Sequence, residues 1–178
     1  MLDYISYGPP TAQVPGVAVG QSSSSLAGDV SNGGLYIAVP GSGWKPVGGT
    51  IVASLSLTGQ TSASNANTLY TPTAATTGLY RLDWYTKLTT TGTSPVLGPL
   101  VVTYKDAVDS VAQSVTCAGQ TQAGSAATSL TATSTAQILS GQLTFNAGSA
   151  AAIIPTLTVS GTIGAAVYEL VFRLQFIG

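Results

Sequence analysis

Apolar and polar side chains alternate along much of this chain. The clearest case runs from Leu79 to Thr90, where Tyr80, Leu82, Trp84 and Leu88 fall on one face and Arg81, Asp83, Tyr85 and Lys87 on the other. A period of two with one polar face predicts a half-buried strand. The closing segment is as regular: Tyr168, Leu170, Phe172, Leu174 and Phe176 alternate with Val167, Glu169, Val171, Arg173 and Gln175. The first of these sets is bulky enough to form half of a sandwich core. Ile51, Ala53, Leu55 and Leu57 alternate with Val52, Ser54 and Ser56. Shorter strands are predicted at Leu35 to Val39, Val96 to Tyr104, Val111 to Thr116, Ala136 to Leu139 and Gln142 to Phe145. The Val96 strand ends in the charged turn Lys105-Asp106-Ala107-Val108-Asp109. Ile153 to Val159 carries Pro155, whose missing N–H demotes the segment to an edge position or a bulge.

No stretch sustains a helical period, and Ser, Thr and Gly would weaken a helix nearly everywhere. About eight short strands between Gly, Ser, Thr and Pro turns predict an all-β fold, a jelly-roll sandwich. That domain is expected over residues 35–178. Residues 1–34 read differently, with Pro9-Pro10, Pro15-Gly16, the Ser22 to Ser25 run and Asn32-Gly33-Gly34. This is turn and linker chemistry with few core anchors, and it predicts an extended N-terminal arm.

Charge changes the picture next. Charged residues make up 6% of the 178 and His is absent, against roughly 25% charged in an ordinary soluble domain. A free monomer keeps itself apart from its neighbours largely through solvated charge, so the composition points to an assembly subunit. Lys is too scarce to guard exposed sheet edges, which are then expected to be closed by another chain or covered by loops. A trimer of jelly rolls achieves this by burying one side of each sandwich on the threefold axis. The arm and the uncharged run from Ser110 to Tyr168 are where contacts with other chains are expected.

The same totals exclude several functions. Five basic residues in a net charge of −1 leave no footprint for nucleic acid or for an anionic membrane surface. Mean hydropathy is +0.37, yet no apolar run reaches the ~18 residues of a membrane span. Met1-Leu2-Asp3-Tyr4 has neither the basic nor the apolar region of a signal peptide. Cys117 is the single cysteine and is expected to be a small buried hydrophobe. Without His there is no Ser-His-Asp or Cys-His arrangement and no ordinary zinc site. Asp106 and Asp109 share a turn, but a charged turn between strands explains them better than a glycosidase pair or a calcium site. Glycine is plentiful without a phosphate-cradling loop. The chain is therefore read as non-enzymatic, with no cofactor and no metal.

The residues left as candidate contacts are Trp44, Tyr85, Arg81 and Asp83. Trp44 follows a Gly-Ser-Gly turn, and Tyr85 lies on the outward face of its strand; either ring suits a partner or a sugar. Arg81 and Asp83 share that outward face and read as a surface or intersubunit ion pair. Trp84, on the face of Tyr80 and Leu82, reads as core.

Two stretches carry a family resemblance. Gly34-Leu35-Tyr36-Ile37 followed by Gly43-Trp44-Lys45-Pro46-Val47 resembles a short hairpin common in bacteriophage fibre and appendage proteins. Leu57-Thr58-Gly59-Gln60-Thr61, Leu69-Tyr70-Thr71-Pro72 and Gly78-Leu79-Tyr80-Arg81-Leu82, together with Tyr168 to Leu174, resemble a group of small phage and prophage virion proteins. Those have a jelly roll similar to the tumour-necrosis-factor and C1q type. The resemblance implies that the Tyr80 strand and the C-terminal strand line the core, and that the domain forms homotrimers. It further implies a virion structural role, assembled in the host cytoplasm. The favoured expectation is a capsid decoration or cement protein whose partners are the major capsid protein or other virion proteins. The alternatives are a tail-tip or fibre protein that binds a host surface glycan, and a carbohydrate-binding module.

Overall fold

The computed structural model describes residues 4–6, 26–29, 34–39, 43–46, 49–61, 64–131, 134–135, 137–162 and 164–178. Their strands, in chain order, are β1 (Tyr4–Ser6), β2 (Leu26–Asp29), β3 (Gly34–Val39), β4 (Gly43–Pro46), β5 (Thr50–Gln60), β6 (Ser64–Ala66), β7 (Gly78–Thr90) and β8 (Ser94–Lys105). There follow β9 (Ala112–Cys117), β10 (Gly119–Thr121), β11 (Ala126–Ala127), β12 (Leu130–Thr131), β13 (Ile138–Ala147), β14 (Ile154–Thr162) and β15 (Val167–Phe176). A 3-10 turn at Ala74–Thr76 precedes β7.

Two antiparallel sheets face each other as a β-sandwich. One has the order β11-β10-β13-β7-β15-β5. The other has the order β12-β8-β14-β6, with β9 also paired to β8. The chain crosses between sheets from β7 to β8, from β9 to β10, from β13 to β14 and again to β15, which is the jelly-roll manner of connecting two sheets. The all-β sandwich expected from the alternation is what forms. Its seven strands of six residues or more are accompanied by two- and three-residue edge pieces, which alternation cannot register.

The core lies where the periodicity placed it. Tyr80, Leu82, Trp84 and Leu88 of β7 and Tyr168, Leu170, Phe172, Leu174 and Phe176 of β15 meet Leu97, Leu100 and Val102 of β8 and Leu157 and Val159 of β14. Rings close one end: Phe145 lies 6.0 Å from Tyr80 and 4.6 Å from Tyr104, and Phe176 meets Tyr80 edge-on at 5.3 Å. Burying a side chain of this size stabilises by about 1.5–3 kcal/mol. Cys117 is buried, as expected, and desolvation pushes its thiol up to about 11.

Three local expectations need correction. By pattern Ala136 to Leu139 and Gln142 to Phe145 read as separate strands; Ala136 lies outside the described residues, and the structure runs Ile138–Ala147 as one strand, because Gly141 stays extended opposite Trp84. Alternation puts Val52 on the polar face of its strand, but a bulge between the pairs Leu174–Ala53 and Gln175–Ile51 turns it onto the core. Pro155 does not place β14 at the edge. β14 lies between β8 and β6; the other alternative expected for this segment, a bulge, is present between Leu157 and Val159. The Pro155 carbonyl accepts from Asn67 N, so its missing N–H faces the side covered by the short β6 rather than the β8 ladder.

Within residues 1–34, Tyr4–Ser6 pairs in parallel with β2, and β2 pairs with β3. These strands and β4 make a separate small sheet of order β1-β2-β3-β4. Residues 1–3, 7–25 and 30–33, the rest of the expected arm, lie outside the described residues.

Candidate functional site

The outward face of the six-stranded sheet gathers an unusual share of the chain's few charges. Register does this. β7 lies between β13 and β15, so Lys87 stands opposite Glu169, Tyr85 opposite Val171, Asp83 opposite Arg173 and Arg81 opposite Gln175. On its other side Asp83 faces Gln142 and Tyr85 faces Ser140. On β7 and β15 each of these residues alternates with a buried one, so the pleat directs them away from the core.

The side chains form a linked set. Arg81 Nε lies 3.5 Å from Asp83 Oδ2, and Arg81 Nη2 donates to Gln175 Oε1. Gln142 Nε2 donates to Asp83 Oδ1 at 2.7 Å. Lys87 Nζ lies 3.7 Å from Glu169 Oε1, and the Tyr85 hydroxyl donates to the same oxygen at 2.5 Å. Buried Thr86 anchors the same β7–β15 junction from within, its Oγ1 donating to the Glu169 carbonyl at 3.0 Å. Burial, then the hydrogen bond and charge of Glu169, push the Tyr85 hydroxyl up to about 12. It therefore stays a neutral donor at ordinary pH. The two ion pairs are partly exposed, at 39% and 37% for Arg81 and Asp83, so each contributes about 0–1 kcal/mol. They orient the face more than they stabilise it.

Three of the four contact residues expected from the sequence thus share this face: Arg81, Asp83 and Tyr85. Trp44 is elsewhere, in β4 opposite Ala38, and its side chain lies outside what the structure describes. Gln142, Glu169, Arg173 and Gln175 complete the face. Alternation already directed Glu169, Arg173 and Gln175 outward, but only pairing shows which residue each meets. Gln142 also lines a shallow groove of about 560 Å³ with Gln120, Ser140, Gly119 and Gly141.

The remaining chemistry is structural. Asp106 Oδ1 accepts from Val108 N at 2.7 Å and Asp109 Oδ1 from Val111 N at 2.9 Å. Each carboxylate closes its own turn, as Asp commonly does. Among the described residues no three His, Cys, Asp or Glu side chains come together as metal ligands. Ser42 precedes Lys45 by the spacing of a lysine-activated serine; Ser42 lies outside the described residues, and Lys45 sits in β4 opposite Ile37.

The opposite outer face has a different character. The outward rows of β8, β9 and β14 carry Val101, Thr103, Ser114, Thr116, Ile154 and Thr156, with Lys105 at one end. The uncharged run from Ser110 to Tyr168 is divided between the two sheets: β9 and β14 build this face, while β13 runs beside charged β7.

No protein-family model and no curated protein matches the chain. Among solved structures it is similar to the CBM22-1 xylan-binding domain of Paenibacillus barcinonensis Xyn10C, at 18% identity over 72% of this chain and 80% of that one, with a TM-score of 0.36. It is also similar to the CBM22-1–GH10 modules of Clostridium thermocellum xylanase 10B complexed with xylohexaose, at 13% identity, 89% of this chain, 25% of that one and a TM-score of 0.35.

Proposed function

We propose that the chain is a non-enzymatic structural subunit of a bacteriophage virion, a decoration or cement protein that binds the assembled capsid as a homotrimer. The observation that carries this reading is the segregation of charge between the two outer sheet faces. The β7–β15 face holds Arg81, Asp83, Lys87, Glu169 and Arg173, while the β8–β14 face presents Val, Ile, Thr and Ser rows. A charge-poor sheet face in a charge-poor chain loses little hydration when buried, so it suits contact with other subunits. The virion setting comes from the sequence resemblance. A partner that binds only the assembled shell stabilises it by mass action. Cryo-EM of the particle is expected to place the chain on the capsid surface; a position at the tail tip overturns the cement role.

A second reading is a host-glycan contact at the tail tip or in a carbohydrate-binding module. The amide- and hydroxyl-lined groove at Gln120, Ser140 and Gln142 beside Tyr85 favours it. It predicts sugar binding by the isolated protein that weakens on Tyr85→Ala or Gln142→Ala. A glycan screen showing no binding removes it.

A further inference from the structure

The sandwich blunts most of its edges and leaves one long. β11 and β12 have two residues each and β6 has three, lengths too short to template another strand. β9 has six. β5 ends the six-stranded sheet with eleven residues, Thr50–Gln60, and contains no charged residue and no proline. Among the described residues its one ladder partner is β15; β3 approaches β5 without forming a ladder with it. Bulges beside Val52 and near Thr58–Gly59 interrupt the two ends of the strand, leaving Ala53–Leu57 as a straight stretch between them.

The core is open along this edge. Leu170, Phe172 and Leu174 of β15 are fully buried, whereas Ala53, Leu55 and Leu57 beside them pack on the core but stay partly exposed. Whatever covers β5 must therefore supply both backbone partners and an apolar row. It must also face Ser54 and Ser56 on the outer side, which are exposed.

We infer that β5 pairs antiparallel with β5 of a second copy across a twofold axis, joining two six-stranded sheets into one. The strand is self-complementary in the way such an axis requires. Centred on Leu55, the pairing sets Ala53 opposite Leu57 inside and Ser54 opposite Ser56 outside. A twofold brings like residues together, and like charges directly opposite would destabilise it; β5 has none. The inference is independent of the virion role. It adds a twofold contact to the proposed threefold one, and a wild-type trimer or dimer tells the failure of one from the failure of the other.

The test is the mass of the full chain in solution by sedimentation velocity, for wild type and for the doubly substituted Ser54→Lys/Ser56→Lys and Ser54→Glu/Ser56→Glu proteins. Both positions are exposed, so the variants are expected to keep the wild-type circular dichroism. Wild type is expected as an even-numbered particle, each variant as one of half its mass, and an equimolar mixture of the two variants as the wild-type size again. A wild-type monomer of 17.8 kDa overturns the pairing and the trimer together. A wild-type trimer overturns the pairing alone, and a dimer supports the pairing while overturning the trimer. Lys variants that retain the wild-type mass also overturn the pairing. As a check that needs no variant, hydrogen exchange at Ala53 to Leu57 is expected to slow as wild-type concentration rises; exchange independent of concentration counts against it.

Discussion

Trp84 occupies room that two glycines leave on neighbouring strands. Gly141 stands opposite it on β13, and Gly119 pairs with Gly141 from β10. A Cβ at Gly119 would lie 2.9 Å from two indole carbons and 2.6 Å from the Ser140 carbonyl oxygen; one at Gly141 would lie 2.9 Å from the indole nitrogen. A large ring covering bare backbone is how sheets commonly recover the packing that glycine lacks. Gly119→Ala and Gly141→Ala are each expected to destabilise by about 1–3 kcal/mol, the usual result of overpacking. Urea unfolding followed by Trp emission measures this, and an unchanged midpoint would refute the packing account. Tyr85 supports a pH prediction. Its hydroxyl ionises near 10 in the unfolded chain and at about 12 when folded. Its contribution is present below pH 10 and is lost as pH rises towards 12. Burial raises Tyr80 and Tyr104 as well, so Tyr85→Phe is expected to reduce the alkaline loss of stability without abolishing it. Urea midpoints across that window, wild type against variant, give the comparison.

β15 shows how much one element depends on its two faces. Phe172 is fully buried, and the next residue, Arg173, is exposed on the opposite face. Phe172→Ala is expected to cost about 3–5 kcal/mol, whereas Arg173→Ala should stay within about 0.5 kcal/mol. Equal effects in a denaturation series would contradict the assigned facing. That facing was legible in the sequence for β7 and β15, because a regular period of two over ten or more residues has one solution. It was not legible at Val52, where a bulge inserts one residue and reverses the count. Nor was it legible at Gly141, since a glycine reads as a turn until a neighbouring ring explains it. Of the candidate site, Arg81, Asp83 and Tyr85 were visible as one strand's outer row. Gln142 and Glu169 as their partners were not, because neither lies near them in the chain: Gln142 is 59 positions from Asp83 and Glu169 is 84 from Tyr85.

Across the whole molecule, the sandwich core is self-contained. Among the described residues, every member of its buried cluster and every apolar side chain packed against it lies at or beyond Val52. Removing residues 1–33, with β1 and β2, is therefore expected to leave a cooperatively unfolding sandwich while weakening attachment to the shell. Calorimetry of the truncated protein checks the first expectation and co-sedimentation with capsids the second; loss of a cooperative transition would mean that the small sheet is part of the fold. By itself the sequence determined that the protein is all-β, which side of β7 and β15 faces the core, and how little charge there is to place. These are local properties: side-chain alternation follows from the pleat of a single strand, and composition needs no structure at all. Strand order was decided only by the tertiary structure. It set β7 between β13 and β15, so that Glu169 meets Lys87 and Tyr85, and it left β5 as the long edge. Order and register depend on which distant strands bury one another's apolar rows, and no short stretch of the chain encodes that alone.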